Sequence, residues 1–383
     1  MKQIIYLILI AIPIMQSCIS SESYKYSVED AQIVINIDSA KLVSLKVGEV
    51  KYVPLETTDY CLIGNANKVL IENQRIYIGD FSKAMALFVF DINGKFIFKI
   101  SKRGQGPGEY LSFRDFDIHS NGDIYMFDVF GEKLLLYDSE GSYLREIKFN
   151  YNFESFYLSN NNIFLSVLWN KGIDKKADLA VYDVTNDKTT YLLDDAKFLY
   201  NIPIKHCSYN FYQSPNSVYY SPKFSDIIYS IREDSLIPAI GINNLPLPSE
   251  DVIKNWLSEK NFDKRLDLIT NSNYFLENVF IYETGEYISF DYEKGTITEK
   301  ILLYNKRTKE THALWRSAYF MAVGCSRIMG STENEFFSAF FIDPQNQFHK
   351  KILTSREELK NWQEEDNPVL VFFNLDMESP SPF

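Results

Sequence analysis

Two short strings recur along this chain at almost constant spacing, and that repeat limits the fold more than any other feature. Ile76-Tyr77-Ile78-Gly79-Asp80 returns 48 positions on as Ile124-Tyr125-Met126-Phe127-Asp128. Phe90-Asp91-Ile92-Asn93-Gly94-Lys95-Phe96 returns 47 positions on as Tyr137-Asp138-Ser139-Glu140-Gly141-Ser142-Tyr143. Each unit holds an alternating run, a polar loop, a second run ending in an aromatic residue and Asp, a glycine turn and a third run. Asp caps such a turn while Gly takes the positive φ, which is hairpin chemistry. A further strand precedes each trio, over Lys68 to Glu72 and over Arg114 to His119. Four strands in roughly 45 residues is the size of a propeller blade. Aromatics are 15% of the residues, a usage that favours strands.

The third strand of the unit can be followed to the end of the chain. It stands at Leu87-Phe88-Val89-Phe90-Asp91, Leu135-Leu136-Tyr137-Asp138 and Ala180-Val181-Tyr182-Asp183. It continues as Ile227-Ile228-Tyr229-Ser230, Leu302-Leu303-Tyr304-Asn305 and Leu370-Val371-Phe372-Phe373-Asn374, which makes six. The tail beyond Asn374 contains Pro380 and Pro382 and cannot supply another paired strand. The unassigned β-rich sequence between Ile33 and Val53 is therefore expected to pair with Val369 to Phe373 and close the ring, because an open blade would expose its edge. The fold expected is all-β: a six-bladed β-propeller over residues 33–383, with an N-terminal strand closing the last blade and two short helical insertions. Ser249 caps one helix, with Val252, Ile253, Trp256 and Leu257 as its apolar stripe. Ser355 and Glu358 have capping-box spacing ahead of Leu359 and Trp362.

The first residues read as an address. Lys2 gives a positive start, Ile4 to Ile14 is an apolar run too short for a bilayer, and Ser17 precedes Cys18. This resembles the lipobox cut by the lipoprotein signal peptidase, with Met15 where Leu is usual. Residues 1–17 are then a signal peptide, Cys18 the lipid attachment, and 18–32 a tether. Ile19 to about Glu29 is polar, without apolar periodicity, and is expected to be dispensable for folding.

Without Lys2 the 39 basic residues become 38 against 51 acidic, a formal charge of −13. That disfavours a nucleic-acid partner, whose phosphates need clustered Lys and Arg. Besides Cys18 there are Cys61, Cys207 and Cys325, an odd number without paired spacing, so buried free thiols are expected rather than a disulfide framework. The histidines, His119, His206, His312 and His349, form no zinc motif.

Val53-Pro54-Leu55-Glu56-Thr57-Thr58, Leu62-Ile63-Gly64, Arg103-Gly104-Gln105-Gly106-Pro107-Gly108-Glu109-Tyr110 and Asp366-Asn367-Pro368-Val369-Leu370 are similar to motifs of a known family. On them the chain resembles the six-bladed β-propeller lipoproteins of Bacteroides-type gut bacteria, distant relatives of NHL-repeat propellers. The resemblance spans nearly the whole mature chain. It implies fold and envelope location and little about activity, since propellers host many functions.

The Gly104 to Gly108 stretch matches neither a P-loop nor a dinucleotide fingerprint. It reads as the crossover from blade one to blade two, where Gly and Pro allow a tight reversal. In a propeller such crossovers share one rim with the loops between second and third strands. Candidate ligand-binding residues on that rim are Arg103, Glu109, Tyr110, Asp80, Lys83, Asp128, Lys133, Trp169 and Lys171. Trp169 beside Asn170 and Lys171 suits a sugar or a peptide; a tryptophan packed between blades fits equally.

No catalytic constellation is legible: there is no Gly-x-Ser-x-Gly elbow and no local calcium loop. The function expected is a non-enzymatic binding or scaffold module without cofactor, for a glycan, peptide or envelope protein. It would be held at the outer membrane, on the periplasmic side or the cell surface. One alternative is a calcium-dependent hydrolase or lactonase with its site in the central channel. Another is a structural accessory subunit of an outer-membrane assembly.

Overall fold

The computed structural model describes residues 26–150, 153–167, 177–193, 209–232, 234–294, 300–325 and 327–375. Within them the chain forms six separate sheets, each built on four strands in the order first, second, third, outer, and two of them carry a fifth strand beyond the outer one. The first strands of successive blades touch one another, which puts them around a common axis. This is a six-bladed β-propeller.

Blade 1 comprises Lys68–Glu72, Arg75–Asp80, Ala86–Asp91 and Phe96–Ile100. Blade 2 comprises Asp115–Ile118, Ile124–Asp128, Lys133–Tyr137 and Tyr143–Lys148. Blade 3 runs Ser155–Leu158, Asn162–Ser166, Leu179–Asp183 and Lys188–Leu192, and blade 4 Phe211–Ser214, Ser217–Tyr220, Ile227–Arg232 and Ser235–Asn243. Blade 5 runs Phe275–Glu283, Tyr287–Lys294, Lys300–Asn305 and Thr311–Trp315. Blade 6 has Gly330–Ser331, Phe336–Phe340 and Val369–Leu375, and takes its outer strand, Val47–Pro54, from the N-terminal region.

The core is a ring of layers between blades rather than one central mass. Ile76, Ile78, Phe88 and Phe90 of blade 1 pack on Leu370 and Phe372 of blade 6. Tyr77, Leu87 and Val89, on the other face of blade 1, pack on Phe116, Met126 and Leu135 of blade 2. Middle strands are thus covered on both faces, which is why a third strand such as Lys133–Tyr137 is buried throughout. Outer strands such as Tyr143–Lys148 stay largely exposed or half-buried instead.

The repeated turn works as the residues dictate. Asp91 Oδ1 accepts from Asn93 N and Lys95 N, both at 2.9 Å, while Gly94 has φ +86°. Asp138 and Gly141 repeat this in blade 2, with Asp138 Oδ1 accepting from Glu140 N and Ser142 N.

The N-terminal segment does more than the sequence suggested. Only Val47–Pro54 pairs with Val369–Leu375, antiparallel, with Leu370 opposite Val53. Ile33–Asn36 instead lies parallel to the outer strand of blade 4, and Lys41–Leu42 parallel to that of blade 5. The segment is a strap over three consecutive blades. The end of the expected tether is not free of the propeller, because Tyr26 and Val28 both pack on it. Val28 is buried between blades 3 and 4, and the Tyr26 ring lies 6.1 Å from that of Tyr229.

Four helices decorate the ring among the described residues: α1 (Glu250–Ser258), α2 (Phe262–Thr270), α3 (Arg316–Val323) and α4 (Gln347–Ser355). Ser249 caps α1 as expected, and Ile253 and Trp256 face the propeller. Near the second expected insertion the helix lies earlier. Asn346 caps α4 by accepting from Phe348 N and His349 N, and Ser355 is its last residue. Among the described residues no helix is long and apolar enough to cross a membrane.

Candidate functional site

The crossover end of the ring carries Asp80, Lys83, Arg103, Glu109, Tyr110, Asp128 and Lys133, singled out from sequence. Asp80 follows the second strand of blade 1, and its carboxylate accepts from Gly64 N and Asn65 N of the incoming crossover. It also accepts from Ser82 N and Lys83 N of its own loop. Asp128 does the same in blade 2, taking Leu111 N, Ser112 N, Ser112 Oγ and Gly131 N. Both aspartates are fully buried. They latch loop to crossover, which confirms that these loops share one rim and leaves the two carboxylates turned inward.

Tyr110 is buried too, its hydroxyl donating to the Met85 carbonyl at 2.6 Å, and burial pushes its pKa up. Glu109 folds back so that its Oε2 accepts from Gly106 N at 2.9 Å, leaving no room for a Cβ at Gly104. Lys133 pairs with Glu146 of the neighbouring outer strand at 2.9 Å. Arg103 and Lys83 are exposed on the rim. Trp169 and Lys171 lie outside the described residues.

A second group near this end ties blades 3 and 4. Lys223 Nζ stands 3.3 Å from Glu154 Oε2, and the Asn210 amide donates to Ser166 Oγ at 2.7 Å. Burial works against the Lys223 ammonium, yet Glu154, Glu277 and Asp178 together hold its pKa above the ordinary value.

The axial channel is barred by side chains that sequence reasoning did not single out. Lys68, on the first strand of blade 1, is almost wholly buried. Its Nζ donates to Asp115 Oδ1 and to the Phe116 carbonyl of blade 2, both at 2.8 Å. Asp115 Oδ2 accepts from Phe156 N of blade 3 at 3.0 Å. Lys68 Nζ also lies 5.4 Å from the centre of the Phe116 ring and 5.3 Å from that of Tyr209. Asp117, two residues on, accepts from Leu158 N of blade 3 at 2.7 Å and from Gln213 Nε2 of blade 4 at 2.6 Å. Four blades are thereby laced across the axis. Burial lifts the pKa of Asp115, against the pull of Lys68, and raises that of Asp117 to about 6.

Beyond this bar, toward the hairpins that join first and second strands, the channel opens into a cavity of about 390 Å³. Its walls come from blades 1, 4, 5 and 6 and include Lys68, Glu72, Tyr209, Gln213, Tyr282 and Glu333. Ser214 and Ser331 sit beside them, Ser331 Oγ donating to the Glu283 carbonyl at 2.7 Å. Tyr219 and Lys306 donate to the Glu283 carboxylate at 2.6 and 2.7 Å, so the wall between blades 4 and 5 is rigidly held. Burial opposes ionisation of Glu283, but these donors bring its pKa below the usual range. Among the described residues no three His, Cys, Asp or Glu side chains come together as metal ligands. One signal in the sequence could have found this site: Asp115 and Asp117 alternate with Phe116 and Ile118 on a first strand, which aims both carboxylates alike.

The model of the domain of unknown function DUF4934 matches residues 32–374, from the strap to the third strand of blade 6. This chain belongs to the DUF4934 family. No curated protein matches it by sequence. Among solved structures, the DUF4934 chain is similar to a "Putative exported protein" of Bacteroides fragilis NCTC 9343. The two are 21% identical, with a TM-score of 0.74 over 90% of this chain and 99% of the other. It is also similar to a member of the duf4221 family from Bacteroides vulgatus ATCC 8482, at 13% identity and a TM-score of 0.51, covering 88% and 98%. At these identities the likeness is one of fold, and propellers of one fold serve many purposes.

Proposed function

We propose that this DUF4934 protein is an envelope lipoprotein that binds a ligand, a glycan or a peptide, at the hairpin end of its channel. Cys18 carries the lipid in this reading, which places the protein at the outer membrane, and its blades are NHL-like. The observation that carries the binding role is the cavity of about 390 Å³ on the ring axis, walled by four blades. It combines aromatic residues with hydrogen-bonding groups on a scaffold cross-linked by polar contacts between blades, the composition of a preformed ligand site. Arg103 and Lys83, exposed at the opposite rim, would serve contacts with a larger partner.

The binding role is tested with the purified mature chain against arrayed oligosaccharides and peptides, beside Glu72→Trp, an exposed mouth position where indole would obstruct entry. Capture lost in Glu72→Trp at an unchanged melting temperature supports the site. Capture indifferent to the obstruction refutes it. The anchor is tested by Cys18→Ala, which should abolish metabolic palmitate labelling and release the protein from membranes.

A further inference from the structure

We infer that the channel cavity selects an organic cation, an amine or guanidinium head group. This deepens the binding role proposed above and rests on it. The one ammonium on the cavity wall among the described residues, Lys68, is spoken for by Asp115 and the Phe116 carbonyl at 2.8 Å. Three carboxylates in and behind the wall have no such match. Glu72 and Glu333 stand exposed at the mouth, and neither pairs with a cation among the described residues. Asp117 lies behind Gln213, held by amide donors alone, and likewise has no ion-pair partner there. The field in the cavity is therefore negative, and a low-dielectric enclosure strengthens it.

The walls supply the other half of cation recognition. Tyr209, Phe211, Tyr282 and Phe337 are among the lining residues, aromatic types that attract cations, and the first strands that line the cavity are the inner edges of their sheets. The channel already solvates one ammonium in this manner. Lys68 Nζ has a carboxylate, a carbonyl, and the Tyr209 and Phe116 rings at 5.3 and 5.4 Å. A ligand ammonium entering past Glu72 would meet the same kinds of group. An anionic ligand would meet Glu72 and Glu333 and, among the described residues, no uncommitted cation on the wall.

The test uses spermidine as the cationic probe, with maltotriose and glutamate as neutral and anionic controls, by calorimetry at moderate salt. Wild type should bind spermidine at one site and glutamate not at all. Glu72→Gln with Glu333→Gln should weaken spermidine at least tenfold, keeping size and hydrogen-bonding capacity, and Glu72→Trp should abolish it. Absent spermidine binding, or binding unchanged in the double Gln variant, overturns the inference. Maltotriose bound in a manner sensitive to Glu72→Trp would overturn cation selectivity while leaving the channel as a ligand site. Spermidine binding indifferent to Glu72→Trp would place it on the acidic surface and overturn the inference as well.

Discussion

The side-chain amide of Asn367 donates to the Cys61 carbonyl at 2.7 Å across 306 residues of sequence. The same amide donates to the Glu56 carbonyl at 2.7 Å, and Asn367 Oδ1 accepts from Ile63 N at 2.8 Å. Glu56 in turn reaches blade 1, its Oε2 accepting from Phe96 N. One buried asparagine thus fastens the end of the ring to its beginning. Asn367→Ala would orphan buried carbonyls and an amide, at a cost on the order of 3 kcal/mol or more. Urea denaturation of the variant should show a midpoint well below wild type. An unchanged midpoint would mean that strand pairing alone holds the ring.

The strap makes a graded truncation series informative. Removing residues 19–29 deletes the buried Val28 and the Tyr26–Tyr229 contact, and should cost about 2 kcal/mol while folding persists. Removing everything through Val53 strips the outer strand from blade 6 and should give aggregation. Size-exclusion chromatography and thermal melts separate these outcomes; a soluble, cooperative long deletion would refute closure by Val47–Pro54.

Lys68→Met should be severe, because it leaves Asp115 buried beside no cation, a change worth about 3–5 kcal/mol. The loss should depend on pH with a definite sign. Burial already raises the Asp115 pKa in the folded state, and removing Lys68 raises it further. Stability from a raised acid is present at low pH and lost as pH rises through its folded value. Urea curves at pH 4.5 and pH 7 should therefore show the deficit of the variant shrinking in acid.

At the crossover rim, stability and exposure separate the residues. Asp80→Ala and Asp128→Ala each orphan several backbone N–H groups and should each cost at least about 3 kcal/mol. Arg103→Ala and Lys83→Ala should move the melting temperature little, since both side chains are exposed. Scanning calorimetry of the four variants decides this, and a cheap Asp80→Ala would show that the latch is dispensable.

Spermidine affinity should fall as pH is lowered through about 6. Asp117 takes up its proton near that value, raised by burial and eased by Lys68, by the Gln213 side chain and by backbone donors. Asp115 and Glu72 are the neighbouring carboxylates, and protonation of any of them lowers the negative field that holds a cation. Calorimetric titrations at pH 5, 6 and 7 measure the fall; affinity flat across that span would detach the cavity field from binding.

The sequence by itself determined the blades. Period-2 alternation and the aromatic-Asp-x-x-Gly turn are local: Asp91 caps the amides of Asn93 and Lys95 wherever the hairpin forms, so six third strands could be read in order. The closing strand was legible because the β-rich sequence between Ile33 and Val53 belonged to none of the repeat units. The tertiary structure decided what the polar residues do. Asp80 and Lys83 are three positions apart and look alike as rim candidates, yet one is buried by amides from Gly64 and Asn65 and the other is exposed. Lys68, Asp115, Asp117 and Gln213 come from three blades and meet, Lys68 with Asp115 and Gln213 with Asp117, only because the ring closes. The placing of Ile33–Asn36 on blade 4 likewise depended on which outer edge lay within reach, not on any pattern in those four residues. Strand periodicity is written in neighbouring residues, whereas a channel is a property of six first strands at once, and no local signal carries their mutual arrangement.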